Sequence, residues 1–237
     1  MKLSAPIYHL KRQAKKLSRD QGLPLHSALD HIAKQEGFAS WSLLAAQAST
    51  IRPAADFLAI LNPGDLALLA ARPAQGKTMM GLELVAEAIK TGRKSVFFTL
   101  EYNEREAEER FQSVGGSPGS PNGDFEIDVS DAISADHVME RLKTAPRGTI
   151  AVIDYLQIMD QRRSNPPLAK QVAALKDFAR RTGVILVFIS QIDRSYTLSE
   201  KPFPGLADIR LPNPLDLTLF SAACFMKDGK SRIDRLN

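Results

Sequence analysis

The residues with the clearest chemistry stand together: Ala71, Arg72, Pro73, Ala74, Gln75, Gly76, Lys77, Thr78 and Met79. Small residues, a glycine, an ammonium and a hydroxyl in that order can cradle a phosphate chain. Loop N–H groups turn inward to form an anion site, and the start of a following helix adds partial positive charge. Gly76 would let the backbone approach the phosphates, Lys77 would reach the β- and γ-phosphates, and the Thr78 hydroxyl would ligate Mg²⁺. The usual pattern begins with glycine, and Ala71 stands there instead, so the flanking elements have to decide. Leu66–Ala70 is a short apolar run suited to a buried strand, and Leu82, Val85, Ala86 and Ile89 recur at helical spacing. Strand, loop and helix thus follow in the order a phosphate loop requires. Three more polar residues end apolar runs: Glu101 after residues 95–100, Asp154 after 148–153, and Gln191 after 184–190.

Those runs alternate with helical patterns. Residues 103–113 and 134–142 read as helices, as does the segment carrying Val172, Leu175 and Phe178. Residues 125–129 form a short strand, 115–123 and 162–167 are loops, and 217–225 is a late strand. Alternation of this kind implies an α/β fold with a mostly parallel central sheet covered by helices, and ligands at the strand carboxyl ends. Glu101, Asp154 and Gln191 all fall at such ends, close to the phosphate loop.

At 237 residues the chain has room for one ordinary domain and a small accessory one. The expected division is a helical module over 1–50, a linker over 51–56 and the phosphate-loop domain over 57–237. A single cysteine, Cys224, excludes an internal disulfide and any multi-cysteine metal site. The basic stretch 1–16 lacks the apolar core of a signal peptide, and the run 184–189 is far too short to span a bilayer. A cytoplasmic protein without membrane association is therefore expected.

The net charge of +4 is unevenly placed: residues 1–50 hold seven Lys/Arg against three acids, and the remainder is balanced. A polyanion partner and a merely solvated helix face both remain open. In this segment Ile7, Leu10, Ala14 and Leu17 mark one helix. Ser27 with Asp30 suggests the cap of a second, and Ser40 the cap of a third. Ala33, Gly37 and Leu43 have the spacing of a helix-turn-helix, with Leu43 as apolar anchor. Residues 40–48 offer few side chains for reading bases, so a plain helical docking module is the alternative.

Taken in order, the motifs resemble a known family. Residues 64 to about 226 are similar to the RecA-like ATPase core of hexameric replicative helicases of the DnaB type. Residues 70–78 resemble its phosphate loop, in which alanine at the first glycine position is ordinary. Phe98-Thr99-Leu100-Glu101-Tyr102 resembles the stretch whose Glu is the catalytic base. Val152-Ile153-Asp154-Tyr155-Leu156-Gln157 resembles the Asp-Tyr-Leu-Gln motif. Ile189-Ser190-Gln191-Ile192-Asp193-Arg194 resembles the motif whose Gln senses the γ-phosphate, and Leu206-Ala207-Asp208-Ile209-Arg210 resembles Leu-Ser-Asp-Leu-Arg.

The resemblance implies a Mg²⁺-dependent ATP hydrolase acting on single-stranded DNA. Lys77 and Thr78 would bind Mg·ATP, Glu101 would activate water, Asp154 would support the metal, and Gln191 would signal nucleotide state. It also implies ring assembly, in which basic residues of one subunit reach a neighbour's ATP; Lys230 and Arg232 are the candidates here. There are departures. Residues 211–214, Leu-Pro-Asn-Pro, replace an acidic stretch, and the short module stands in place of a large helical N-terminal domain. The chain is expected to fray near Arg232 and to oligomerise weakly. A nucleotide-switched binding protein is the competing function, and a kinase ranks last. The module itself resembles a helical add-on found in assorted bacterial proteins, with the pattern His-Ser-x-Ala-Leu-x-x-Ile-Ala and Gly-Phe-x-x-Trp-x-x-Leu, which implies no definite activity.

Overall fold

The computed structural model describes residues 3–5, 7–49, 53–117, 124–160, 165–199, 201–211 and 213–236. The chain divides into two compact units, a smaller one of residues 1–53 with 228–230 and a larger one of residues 54–227 with 231–237.

The smaller unit contains α1 (Ile7–Gln21), α2 (Leu25–Gln35) and α3 (Trp41–Ser49). Leu10, Ala14, Ala28, Ile32, Ala33 and Leu44 are its buried core. Ser27 does not cap α2; Pro24 precedes its first turn, where a fixed φ suits helix entry. Ser40 sits at the start of α3, where its hydroxyl accepts from the Leu43 N–H at 3.4 Å. Leu43, the expected helix-turn-helix anchor, is 55% exposed, while Leu44 is fully buried. The anchoring side chain is therefore one residue later, and the helix-turn-helix register is not met.

The larger unit opens with α4 (Pro53–Ile60), so residues 53–56 of the expected linker are the first turn of a helix. Proline at the first helical position loses no intrahelical bond. A seven-stranded sheet follows in the order β3-β2-β4-β5-β1-β6-β7. Its strands are β1 (Leu66–Ala71), β2 (Ser95–Thr99), β3 (Phe125–Asp128), β4 (Ile150–Asp154), β5 (Ile185–Gln191), β6 (Ala222–Lys227) and β7 (Lys230–Arg235). The pairs β2–β3, β2–β4, β4–β5, β5–β1 and β1–β6 are all parallel. Strands buried on both faces need apolar residues at every position, which is why the central ones read as continuous apolar runs.

Alternate residues feed two cores. Leu66, Leu68, Phe98, Ile153 and Phe188 face α7 (Ala135–Leu142) and α8 (Leu168–Thr182). Leu69, Phe97, Val152, Val187 and Ile189 face α4 and α5 (Lys77–Lys90). A further helix, α6 (Glu104–Ser113), follows β2. Its Asn103 and Glu106 form a reciprocal cap, with Asn103 Oδ1 accepting from the Glu106 N–H at 2.9 Å.

The late strand differs from expectation. Residues 217–219 form a single 3₁₀ turn and the strand begins at Ala222. The expected fraying near Arg232 is also corrected: Lys230–Arg235 is an additional strand. Asp228 and Gly229 connect β6 and β7 with φ of 50° and 70°. Two successive positive-φ residues make a tight hairpin turn whose twist matches that of the strands it joins. Arg235 donates to the Ile60 carbonyl at 3.0 Å and pairs with Asp65, so the last strand is tied to the start of the sheet.

Candidate nucleotide site

Parallel register brings the strand ends into line. Thr99 pairs with Asp154, Asp154 with Ile189, and Ala71 with Gln191. The phosphate loop, Glu101, Asp154 and Gln191 thus share the carboxyl edge of the sheet.

The loop enters α5 through Gly76, whose φ of 82° lies in the left-handed region open to glycine. Ala74 holds a φ of 63° without being a glycine, a conformation costing about 1–3 kcal/mol that clusters at functional loops. No side chain caps the first turn of α5, so its N–H groups remain donors for an anion. Lys77 and Thr78 are both 8% exposed at the base of this loop. Gly81 fixes the approach of the helix: a Cβ there would stand 2.9 Å from Ile189 Cδ1 and 3.2 Å from Val152 Cγ1. The helix therefore lies directly on β4 and β5, close enough to bring Thr78 to Asp154.

Asp154 is fully buried, and neither carboxylate oxygen has a hydrogen-bond partner. Burial and, less strongly, the Glu101 charge push its pKa up to about 7, against the pull of the nearby Thr78 hydroxyl and the Lys77 ammonium. The four groups therefore act on one another across a small space. A buried carboxylate without a donor is a costly arrangement unless a cation or its water completes it. Two oxygen-bearing side chains, Thr78 and Asp154, fit Mg²⁺, which is typically held by one or two protein oxygens plus substrate phosphates. Among the described residues no group of three or more His, Cys, Asp or Glu could form an all-protein metal site.

Glu101 is exposed, and its backbone N–H donates to Thr99 Oγ1 at 3.1 Å. Gln191 is half-buried at the end of β5. Its Oε1 accepts from Arg210 Nη1 at 3.5 Å, and its carbonyl accepts from the Arg210 N–H at 2.8 Å. Gln157 Nε2 donates to the Arg210 carbonyl at 2.8 Å, and Arg72 Nη1 to the Ile192 carbonyl at 3.1 Å. These bonds join the segment after β5 to the phosphate loop and to the turn after β4.

Sequence reasoning gave no role to Arg210, Tyr102 or Arg110. Burial raises the Tyr102 pKa, the Arg110 guanidinium opposes that rise, and the Glu101 and Asp154 charges add to it, so the phenol lies near the same two carboxylates. The Arg110 guanidinium stacks 4.0 Å from the Tyr102 ring centre. Only adjacency to Glu101 hinted at Tyr102. Lys230 and Arg232 stand apart from the other candidates, on the outermost strand. Arg232 Nε donates to Asp234 Oδ2 at 2.9 Å, and its guanidinium lies 5.0 Å from the Phe225 ring centre.

The DnaB-like helicase C-terminal domain model matches residues 54–117 and 122–214, more than half of the chain. The chain belongs to this family. A replicative DNA helicase DnaB of Leifsonia xyli is 27% identical over 182 residues, covering 63% of this chain and 40% of that protein. One from Helicobacter pylori strain 26695 is 24% identical over 213 residues, covering 74% of this chain and 44% of that protein. The chain thus spans less than half the length of these curated relatives.

One solved ATPase domain superposes with a TM-score of 0.57 at 16% identity, covering 77% of this chain and 80% of that one. A DnaB-like replicative helicase, solved with attention to its interactions with primase, gives 0.59 at 16% identity, covering 97% and 74%. These structures share the RecA-like fold of the DnaB-like domain. No described helix is long and apolar enough to cross a membrane.

Proposed function

We propose that this DnaB-like domain binds Mg·ATP and hydrolyses it, and that hydrolysis serves work on single-stranded DNA. The observation that carries this reading is Asp154, buried and without a donor, beside Thr78 at the foot of an uncapped phosphate loop. Loop N–H groups and the start of α5 hold phosphate oxygens, and Lys77 pairs with the β- and γ-phosphates. Thr78 and Asp154 would hold Mg²⁺, which when bound would supply positive charge to the phosphate oxygens. Glu101 takes a proton from the attacking water as its oxygen bonds to the γ-phosphorus and the β–γ bridging oxygen leaves with ADP. Gln191 donates to the γ-phosphate and reports its loss to the segment that carries Arg210.

Two substitutions test the assignment. Lys77→Ala is expected to abolish ATP binding in fluorescence titration. Glu101→Gln is expected to bind ATP normally yet release phosphate about 10²–10⁴-fold more slowly in single-turnover assays, the usual worth of a general base. Wild-type turnover in Glu101→Gln would place the base elsewhere.

A second reading is a nucleotide-switched binding protein. It is favoured by Arg232, which is engaged within its own chain by Asp234 and Phe225. Single-turnover hydrolysis with and without oligothymidylate separates the two. Stimulation by the oligonucleotide supports the motor, and nucleotide-dependent binding without turnover supports the switch.

A further inference from the structure

At about 100° per residue, the helical periodicity of α1 separates two faces. Leu10 and Ala14 are buried, and Ile7 and Leu17 pack against the same small core. Lys11, Lys15, Arg19, Arg12 and Lys16 fan out over the adjoining arc of about 140°, roughly 40° or less apart. All five are exposed, and among the described residues none has an acidic partner. Asp20, one turn beyond Lys16 at the edge of the same arc, is the acid on this side of the helix and forms no ion pair with them among the described residues; the other two acids of residues 1–50 are turned elsewhere. Asp30 accepts from the Trp41 N–H at 2.8 Å, and Glu36 accepts from the Ser4 N–H at 2.6 Å and from its hydroxyl. A groove of about 420 Å³ runs along this side of the helix, lined by His9, Arg12, Gln13, Lys16, Arg19 and Asp20.

We propose that this face of α1 docks the phosphate backbone of a single-stranded nucleic acid, as a contact separate from the nucleotide site. A row of like charges left unpaired on one face is matched by a row of opposite charges. The span from Lys11 to Arg19 is about 12 Å of helix, and successive phosphates advance by at least about 3.4 Å even in a fully stacked strand, so up to about three to four phosphates fit along it. A membrane surface fits poorly. Interfacial helices bury their apolar face in lipid, and the apolar residues of α1 are consumed by the core. Exposed Lys and Arg side chains fanned over one helix face, with no partner that fixes them towards a base edge, meet phosphates first, so the contact is expected to be independent of sequence.

The inference does not rest on ATP turnover, and its test is run on the whole chain without nucleotide. Binding of labelled oligothymidylate is followed by anisotropy across salt concentration. In a variant carrying Lys11→Gln, Arg12→Gln, Lys15→Gln, Lys16→Gln and Arg19→Gln, the log–log salt slope is expected to flatten by about 2–3, at roughly 0.7 per phosphate released. Between 50 and 200 mM salt, that contribution corresponds to about a 20- to 50-fold change in affinity. ATPase activity should stay at the parent level. Glutamine has nearly the helix propensity of lysine and arginine. Should circular dichroism nevertheless show a misfolded variant, Lys11→Gln and Lys16→Gln singly, each expected to remove about 0.7 of slope, carry the test. A control removes five cations of the larger unit, Lys90, Arg105, Lys143, Lys170 and Arg181, in the same way and should leave the slope nearly intact. An unchanged slope in the α1 variant, equal flattening in the control, or binding to phosphatidylserine vesicles without binding to oligothymidylate would each overturn the proposal.

Discussion

An amide side chain has a donor end and an acceptor end, and what holds one end decides what the other presents. Gln191 Oε1 accepts from Arg210, which leaves the Nε2 hydrogens as the end available to a phosphate oxygen. Arg210 is itself held by Gln157 through its carbonyl and by the Gln191 backbone. Arg210→Ala should therefore reduce kcat about 5- to 10-fold, roughly the worth of one modest hydrogen bond, while ATP affinity changes little. Arg210→Lys, which keeps a donor, should recover part of the loss. An unchanged kcat in Arg210→Ala, or a loss confined to ATP affinity, would remove Arg210 from this role. The contrast with Lys77 shows what a sequence reveals at this scale. The placement of Gly76, Lys77 and Thr78 in one loop-to-helix turn was legible because the residues are contiguous, and that of Asp154 at a strand end because an apolar strand delivers it. Arg210 and Arg110 act on partners 19 and 8 positions away through turns whose path no periodicity encodes.

The same difference recurs among the elements. β1, β2, β4 and β5 were readable because burial on both faces demands unbroken apolar runs. β7 was not, since Lys230–Arg235 is mostly charged, as suits an outermost strand that must resist pairing with other chains. The helix α5 was readable by its apolar stripe, but one consequence of its packing was not. Glu83 lies partly buried on it, and burial, with the Glu87 charge adding to it, pushes its pKa up to about 7. The sign follows from proton affinity: the folded state holds this proton more tightly than the unfolded chain, whose value is near 4.5. The stability it contributes is complete below about pH 4.5 and is lost as pH rises to about 7. Glu83→Gln should thus raise the melting temperature at pH 8, leave it unchanged at pH 4, and flatten the curve between. A parallel curve for the variant, shifted equally at both pH values, would show that Glu83 is not the titrating group.

For the whole molecule, the cost of freeing the cations on β7 decides whether they can serve a neighbour's site. In the single chain Arg232 is occupied by Asp234 and Phe225. Releasing it is inexpensive: an exposed ion pair contributes about 0–1 kcal/mol and an exposed cation–π contact about 0.5–1 kcal/mol. A basic residue reaching a transferring phosphoryl group from a neighbour raises the rate by about 10³–10⁵, which is roughly 4–7 kcal/mol of barrier. The second quantity exceeds the first, so a neighbour's site would retain most of the rate gain after the cost of freeing Arg232 from Asp234. Hydrolysis should accordingly be slow in the monomer and rise with protein concentration in Mg·ATP, in step with oligomers seen by analytical ultracentrifugation. Arg232→Ala should leave the monomer's rate unchanged and cut the oligomer's rate about 10³-fold or more. Asp234→Asn, which frees the guanidinium in advance, should not reduce the oligomer's rate. A stable hexamer with fast, DNA-stimulated turnover that is indifferent to Arg232→Ala would refute the role and leave Arg232 as a stitch between β7 and β6.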